Sequence, residues 1–327
     1  MYELKKIPTD FYVEEVPEFE LRDSGEFSIY LLEKESANTE EVVRLISNRF
    51  KLPRKFFGYA GNKDKHAVTK QYISVKGKIP DYSENNFKLS FFGYSSKAVS
   101  VGNLIGNKFR IVARGISEPP HPETEFINYF DDQRFGRNNL EIGIALIKKD
   151  FKSAGLLCDL PEVKERLSKV PGDFVNALRL VPFKILSIYI HSVQSYIFNE
   201  IVAEICQEND CCEVAYEKGV FAFPKAKIAN LIIPLISFDT ELSGKIGQTA
   251  QKVLDRLGIS KRDFVIRQIP GITPLGGERE LVADIKHLKI GIMEKDDLGP
   301  LRKIQLEFEL GKGSYATVAV RRMFAHN

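Results

Sequence analysis

Apolar positions in the first part of the chain predict several strands and one helix. Segments 11–16 and 27–32 have the apolar, β-prone composition of strands. Asn38 predicts a helix start, because Glu41 follows three residues later, as in a capping box. The apolar residues after it lie on one helical face: Val42, Leu45, Ile46 and Phe50. Pro53 ends this helix, and further strands are predicted at 55–60, 71–75, 88–93 and 109–113.

The apolar pattern changes near residue 139. Helical periodicity predicts helices at 140–157, 188–205 and 242–257, with loops rich in Pro and Gly between them. Strands return near the end, at 303–310 and 315–320. We therefore expect an α+β fold with a mixed or antiparallel sheet flanked by helices. The two expected domains are a β-rich one from residues 1–150 and 285–327, and an inserted α-rich one from residues 151–284.

Composition supports a folded protein but does not name its partner. The length of 327 residues suits two domains, and 43% hydrophobic with 28% charged residues predicts a packed core. A net charge of +3 is too small to indicate nucleic-acid binding, which depends on where lysines and arginines cluster. The four cysteines form no C-x-x-C pair, so neither a metal site nor a disulfide framework is expected.

Hydropathy predicts no membrane span. The most apolar segment, 228–238, is about half the length of a span and contains Pro234. The first residues lack the apolar run of a signal peptide. We therefore expect a soluble, cytoplasmic protein. The sequence leaves the oligomeric state open and favours a monomer only slightly.

Charged residues concentrate around Asp64, after a predicted strand. Lys63 and Lys65 flank it, and His66 and Lys70 follow. Nearby cations favour the ionised carboxylate, so we expect Asp64 to be charged at neutral pH. Such a carboxylate can act as a nucleophile or a base while the lysines bind phosphates. From charge alone, however, a solvated Lys-Asp-Lys turn is the simpler interpretation.

Four segments, in order along the chain, resemble the motifs of one enzyme family. They are Lys5 with Phe-x-Val-Glu at 11–14, Ala-Gly-Asn-Lys-Asp-Lys-His-Ala-Val-Thr-Lys-Gln at 60–71, Asn-Tyr-Phe-Asp-Asp-Gln-Arg-Phe-Gly at 128–136, and Gly-Ser-Tyr-Ala-Thr at 313–317 followed by Arg321. Weaker matches lie at 25–39, 102–109 and 191–199. The segments span nearly the whole chain and resemble TruD-type tRNA pseudouridine synthases, which isomerise uridine to pseudouridine.

This resemblance implies an isomerase that acts on tRNA and needs no cofactor or metal. It makes Asp64 the catalytic carboxylate, and it leaves open whether Asp64 attacks the sugar C1′ or removes a sugar proton. Lys5 matches the basic residue that the family pairs with its aspartate. The family further implies the uridine at position 13, in the D arm of tRNA, as the substrate. The inserted domain is then expected to form the other wall of the RNA cleft.

Other matched residues are expected to bind the target base. The target base must leave its stack, so an aromatic platform is needed, and Phe130 is the candidate for stacking on the uracil. Asn128 is expected to orient the base or Asp64 through its amide. Phe11 is expected to close the other side of the pocket. Arg134 could hold a phosphate or support the Asn128 loop, and the sequence does not separate these roles.

At two places the sequence differs from the family's motifs. Asp131 stands where the family has Gly, and Asp tolerates a positive φ if the loop requires one. Leu310-Gly311 replaces a family Leu-Pro.

The alternative to this enzyme is a non-catalytic RNA-binding protein with an RRM-like split β-α-β sheet, which aromatic residues near basic ones would also suit. Asp64 argues against it, because a pure binder gains nothing from a carboxylate in its phosphate path.

Overall fold

The computed structural model describes residues 2–325. In that part of the chain there are sixteen strands and nine α-helices. The strands are β1 (Phe11–Pro17), β2 (Phe27–Glu35), β3 (Phe57–Tyr59), β4 (Val68–Lys76), β5 (Tyr82–Glu84), β6 (Phe87–Ser95), β7 (Leu104–Ile116), β8 (Glu125–Ile127), β9 (Cys211–Tyr216), β10 (Gly219–Pro224), β11 (Ile232–Leu235), β12 (Gly277–Glu280), β13 (Val282–Asp284), β14 (Lys286–Ile290), β15 (Glu294–Lys295) and β16 (Arg302–Gly311). The helices are α1 (Thr39–Arg49), α2 (Asp132–Phe135), α3 (Asn139–Ile147), α4 (Phe151–Leu157), α5 (Pro161–Lys169), α6 (Phe174–Arg179), α7 (Phe183–Cys206), α8 (Gly244–Leu257) and α9 (Ala316–Met323).

The chain forms two compact units. The first contains the described residues up to Glu125 together with Asp284–Ala316, and the second contains Phe126–Ala283 and the described residues from Thr317. The first boundary thus differs from the expected one at residue 150, because α3 packs against α7 of the second unit. The catalytic role expected for the first domain stays a prediction.

A ten-stranded sheet makes up most of the first unit. Its strand order is β14-β16-β7-β1-β4-β2-β6-β5, with β15 paired to β16 and β3 paired to β4. The β1–β4 pair is parallel, with Val13 opposite Thr69, while β1 pairs with β7 and β2 pairs with β4 in antiparallel fashion. The sheet is therefore mixed, and the α+β class expected from the sequence is confirmed.

Helix α1 covers the β2–β4 region of this sheet. The Asn38 side chain caps α1 by accepting from the backbone amide of Glu40 at 2.8 Å, as expected for this residue type. Buried residues of α1 and of the sheet form one core: Tyr30, Leu32, Val42, Val43, Ile46, Ile73 and Val75. Leu45 is 38% exposed, so its predicted place on the buried face is wrong. Val43, two residues earlier in α1, is buried instead.

The second unit is built around the 24-residue helix α7. Helices α3 and α8 pack against α7, and three two-stranded sheets complete the unit: β9–β10, β11–β12 and β8–β13. The helices predicted at 188–205 and 242–257 correspond to α7 and α8. The helix predicted at 140–157 is instead two helices, α3 and α4. Lys149 between them has a φ of +61°, and Asp150 caps α4 by accepting from the amide of Ser153 at 3.0 Å.

The strand predicted at 315–320 is wrong, because these residues begin helix α9. Thr317, Val318 and Val320 are β-branched, and that composition favoured a strand. Four buried positions nevertheless have the helical spacing of three and four residues, Ala316, Ala319, Val320 and Met323, and Val318 beside them is buried as well. Burial along this face outweighs the local β-propensity.

Candidate functional site

Two buried polar side chains anchor the loop between β3 and β4, which carries Asp64. The hydroxyl of Thr39 donates to Oε1 of Gln71 at 2.8 Å and accepts from the backbone amide of Lys63 at 3.2 Å. Nε2 of Gln71 donates to the carbonyl of Gly61 at 3.2 Å. Thr39 and Gln71 are fully buried, so water cannot readily replace these hydrogen bonds. The loop is held on α1 and β4 in one conformation.

The carboxylate of Asp64 forms an ion pair with Lys5, 59 residues earlier in the chain. The two side chains are 17% and 23% exposed, so the pair is shielded yet open to a ligand. The backbone amide of His66 donates to the other oxygen of Asp64 at 3.2 Å. Lys5 has a φ of +58°, a conformation that residues other than glycine adopt at a cost.

Phe11 lies beneath the ammonium group of Lys5. The distance from Nζ of Lys5 to the centroid of the Phe11 ring is 4.2 Å, within the range of a cation–π contact. The ring is only 5% exposed and meets Phe109 edge to face at 6.2 Å. Phe11 therefore supports the lysine that pairs with Asp64. Its expected role in closing a base pocket stays a prediction.

A second lysine, Lys34, holds the backbone at Asp64. Its ammonium donates to the carbonyl of Ala37 at 2.8 Å and to the carbonyl of Asp64 at 3.0 Å. Lys34 is 2% exposed. Burial lowers the pKa of Lys34 from 10.5 to about 8, against the opposing effect of the Asp64 carboxylate and with a smaller contribution from the Lys63 cation.

Lys63 is committed to the fold and is not free to bind phosphate. Its ammonium lies 2.9 Å from Oε1 of Glu15 and donates to Oδ1 of Asn107 at 2.5 Å. Glu15 is 3% exposed and also accepts from the backbone amide of Tyr72 at 2.9 Å. Of the two lysines that flank Asp64, only Lys65 is exposed. Phosphate binding by these lysines stays a prediction, for which the exposed Lys65 is the better placed.

In the second unit, Asn199 clamps the backbone of Phe130. The Asn199 side chain accepts from the amide of Phe130 at 2.9 Å and donates to its carbonyl at 2.8 Å. Asn199 lies on α7 and is 1% exposed, and the Phe130 ring meets Phe198 edge to face at 5.4 Å. The ring is 7% exposed. Phe130 therefore has a fixed position against α7.

Two arginines lie over the Phe130 ring. The guanidinium carbon of Arg279 is 4.2 Å from the ring centroid, and that of Arg134 is 5.4 Å away. Arg279 also donates to the carbonyl and the side-chain oxygen of Asn128, at 2.8 and 2.5 Å. Arg134 donates to the hydroxyl of Ser195 at 3.0 Å. Asn128, Phe130 and Arg134 are thus brought together in the second unit, as Lys5, Phe11 and Asp64 are in the first.

Asp131 does not use the conformational freedom of the glycine that it replaces. Its φ is −90°, within the ordinary range for any residue. Arg321 of α9 lies 3.3 Å from Oδ1 of Asp131 and donates to Asp132 at 2.7 Å. The matched arginine near the C-terminus therefore supports the start of α2.

Sequence reasoning missed three residues that shape these groups. The burial of Lys34 could have been predicted, because Lys34 lies on the same face of β2 as the buried Tyr30 and Leu32. Asn199 lies in segment 191–199, which matches the family weakly, and no function was predicted for it. Arg279 carried no local signal, since its contact with Phe130 joins residues far apart in the chain.

Comparisons with known proteins give one consistent family. A sequence model described as "tRNA pseudouridine synthase D (TruD)" matches residues 2–158 and 162–323. A protein of Methanocaldococcus jannaschii named as a tRNA pseudouridine synthase D 2 is 31% identical, over 98% of this chain and 91% of its own. The tRNA pseudouridine synthase D of Aquifex aeolicus is 28% identical, over 98% and 97%. A crystal structure assigned to the tRNA pseudouridine synthase D of Methanosarcina mazei has a TM-score of 0.70 at 26% identity, covering 100% of this chain and 94% of the other.

The chain therefore belongs to the tRNA pseudouridine synthase D family. This confirms the resemblance drawn from the four motifs and the expected enzyme class, a tRNA pseudouridine synthase, which is an isomerase. It favours the enzyme over the RNA-binding alternative. Within residues 2–325, no helix has the length and apolar character needed to cross a membrane.

Proposed function

We propose that this protein converts the uridine at position 13 of tRNA to pseudouridine, with Asp64 as the catalytic carboxylate. The observation that carries the proposal is the Asp64–Lys5 ion pair, on a loop anchored by buried side chains, in a chain of this family. A carboxylate held at 17% exposure and paired with the Lys5 ammonium is oriented and still accessible to a ribose.

The reaction conserves all atoms of the nucleotide. The bond between N1 and C1′ breaks, the uracil turns, and a bond forms between C5 and C1′. C5 loses a proton and N1 gains one. Asp64 would act on the sugar, either at C1′ as a nucleophile or on a ribose proton as a base. Lys5 would keep one oxygen of Asp64 in a fixed direction.

Phe130 and Asn128 would hold the base during the turn. Phe130 would supply the stacking surface, and its double hydrogen bond to Asn199 suits it to a fixed platform. The Asn128 amide would bond to the uracil edge, which offers one N–H donor and two carbonyl acceptors. Arg134 would support this group, because its Nε donates to Ser195 and its guanidinium lies over the Phe130 ring.

Mapping the product tests this proposal. Unmodified tRNA with uridine at position 13 and a matched transcript with cytidine there are incubated with the purified protein, and pseudouridines are located by chemical mapping. We expect one pseudouridine, at position 13, in the first tRNA and none in the second. Pseudouridine at another position in both transcripts would contradict the proposed target. No pseudouridine in any tRNA would contradict the proposed activity.

A further inference from the structure

The Phe130 platform already carries a planar group. The guanidinium of Arg279 lies 4.2 Å from the ring centroid and donates to both oxygens of Asn128. The Arg134 guanidinium is 5.4 Å from the same centroid, and the Phe198 ring meets the edge. With the ring only 7% exposed, a uracil cannot stack on it until a neighbouring group moves.

Phe130 itself is poorly placed to move. Asn199 holds both its amide and its carbonyl, at 2.9 and 2.8 Å, and Asn199 is 1% exposed on the long helix α7. Releasing Phe130 would leave buried polar groups without partners, which is energetically unfavourable.

Arg279 is placed on a more yielding element. It lies on the four-residue strand β12, which pairs with β11. The other residues of β12 are exposed: Gly277, Glu278 and Glu280. Short, exposed elements with few buried contacts open at low free energy. An arginine side chain there can leave the ring by rotating about its own bonds.

The contacts of Arg279 resemble those that a uracil would make. A guanidinium is planar, stacks on aromatic faces and presents N–H donors in its plane. A uracil is also planar, and its N3–H would donate to the same side-chain oxygen of Asn128. The arginine and the base would therefore compete for one place between Phe130 and Asn128.

We propose that Arg279 occupies the uracil position in the RNA-free protein and gives it up when the target base enters. This inference rests on the proposed function, because it takes Phe130 as the platform for the base. The exchange keeps the platform covered until tRNA delivers a flipped uridine.

Binding measurements with two tRNAs test the exchange. One carries uridine at the target position and the other an abasic ribose, and both are titrated against proteins with Asp64→Asn so that the uridine persists. Arg279→Lys keeps the positive charge but loses the planar fork. We expect it to lower the Kd of the uridine tRNA by about tenfold, because an ammonium lacks the planar fork that stacks on the ring and donates to both oxygens of Asn128, and so competes less well with the base. The Kd of the abasic tRNA should change less than about twofold.

Arg134→Lys is the matched control, because Arg134 lies over the same ring but is bound to Ser195. It should change both Kd values by the same factor. Arg279→Leu removes the fork by a different route and should give the same gain for the uridine tRNA relative to the abasic one. Thermal unfolding checks that each variant is folded.

Two results would overturn the exchange. In one, Arg279→Lys and Arg279→Leu leave the ratio of the two Kd values unchanged. In the other, both weaken the uridine tRNA selectively, which would mean that Arg279 contacts the base in the complex. Failure of the proposed function looks different: the protein with Asp64 intact makes no pseudouridine at the target position, and no variant distinguishes the two tRNAs.

Discussion

Replacing Lys34 by methionine should change the pH dependence of stability and the rate of catalysis through separate effects. Burial lowers the pKa of Lys34 to about 8 from 10.5. Since one pKa unit corresponds to ~1.4 kcal/mol, the charged form costs roughly 3 kcal/mol in the folded protein at neutral pH. Methionine removes this cost but leaves the carbonyls of Ala37 and Asp64 without their donor, at about 1–3 kcal/mol each. The net change in stability at pH 7 should therefore be small.

The effect of pH has a definite sign. The folded protein gives up the Lys34 proton at a lower pH than the unfolded chain does. Between pH 8 and 10.5 the unfolded chain therefore binds more protons, and the contribution of Lys34 to stability rises with pH. The difference in unfolding free energy between the wild type and Lys34→Met should shift toward the wild type by roughly 3 kcal/mol from pH 7 to pH 10.5.

Urea unfolding followed by circular dichroism measures this difference, and groups that titrate equally in both proteins cancel. Lys65→Met is the control for removing a lysine next to Asp64, because Lys65 is exposed. Pseudouridine formation by Lys34→Met should slow at least about tenfold, since the Asp64 loop loses a charged hydrogen bond worth about 1.5–3 kcal/mol. A flat pH difference for Lys34→Met would refute the buried ammonium. An unchanged rate would refute its hold on Asp64.

Other residues give further tests. Arg114→Met leaves the carboxylates of Asp10 and Asp296 buried without their cation, so urea unfolding should show a loss of about 3–5 kcal/mol, and a loss below about 1 kcal/mol would contradict the role of this cluster. Phe130→Leu should slow pseudouridine formation at least about tenfold while Phe130→Tyr retains most activity, because stacking is worth about 1–3 kcal/mol per base; equal rates for both would argue against a stacking platform. Thr39→Val keeps the shape but removes both hydrogen bonds of the hydroxyl, and it should slow the reaction more than it weakens tRNA binding in a filter assay; the reverse order would contradict loop anchoring.

Much of the sheet was predictable because its strands alternate between a buried and an exposed face. Segment 303–310 shows this clearly and lies within β16, whereas segment 27–32 was predicted from its apolar, β-prone composition and lies within β2. The pattern failed where two signals competed. In α9, β-branched residues suggested a strand, whereas the apolar spacing of three and four residues, which burial follows, was the better guide.

The candidate site was predictable only in part, because it joins residues distant in sequence. The pairing of Lys5 with Asp64 came from the family motif, since nothing in the local charge pattern identifies a partner 59 residues away. The local charge pattern also failed to show that Lys63 pairs with the buried Glu15. Arg279 became visible only when the chain placed it over Phe130.

The conversion of bound tRNA by Asp64→Asn is the measurement that tests the catalytic role of Asp64 most directly. Asparagine keeps the shape of the side chain but cannot act as a nucleophile or a base. We expect saturating wild-type protein to convert its target uridine fully, and Asp64→Asn to form no pseudouridine above background while its tRNA Kd stays within about threefold of the wild-type value. Pseudouridine formation by Asp64→Asn at a rate within about tenfold of the wild type would contradict the assignment of Asp64 as the catalytic residue.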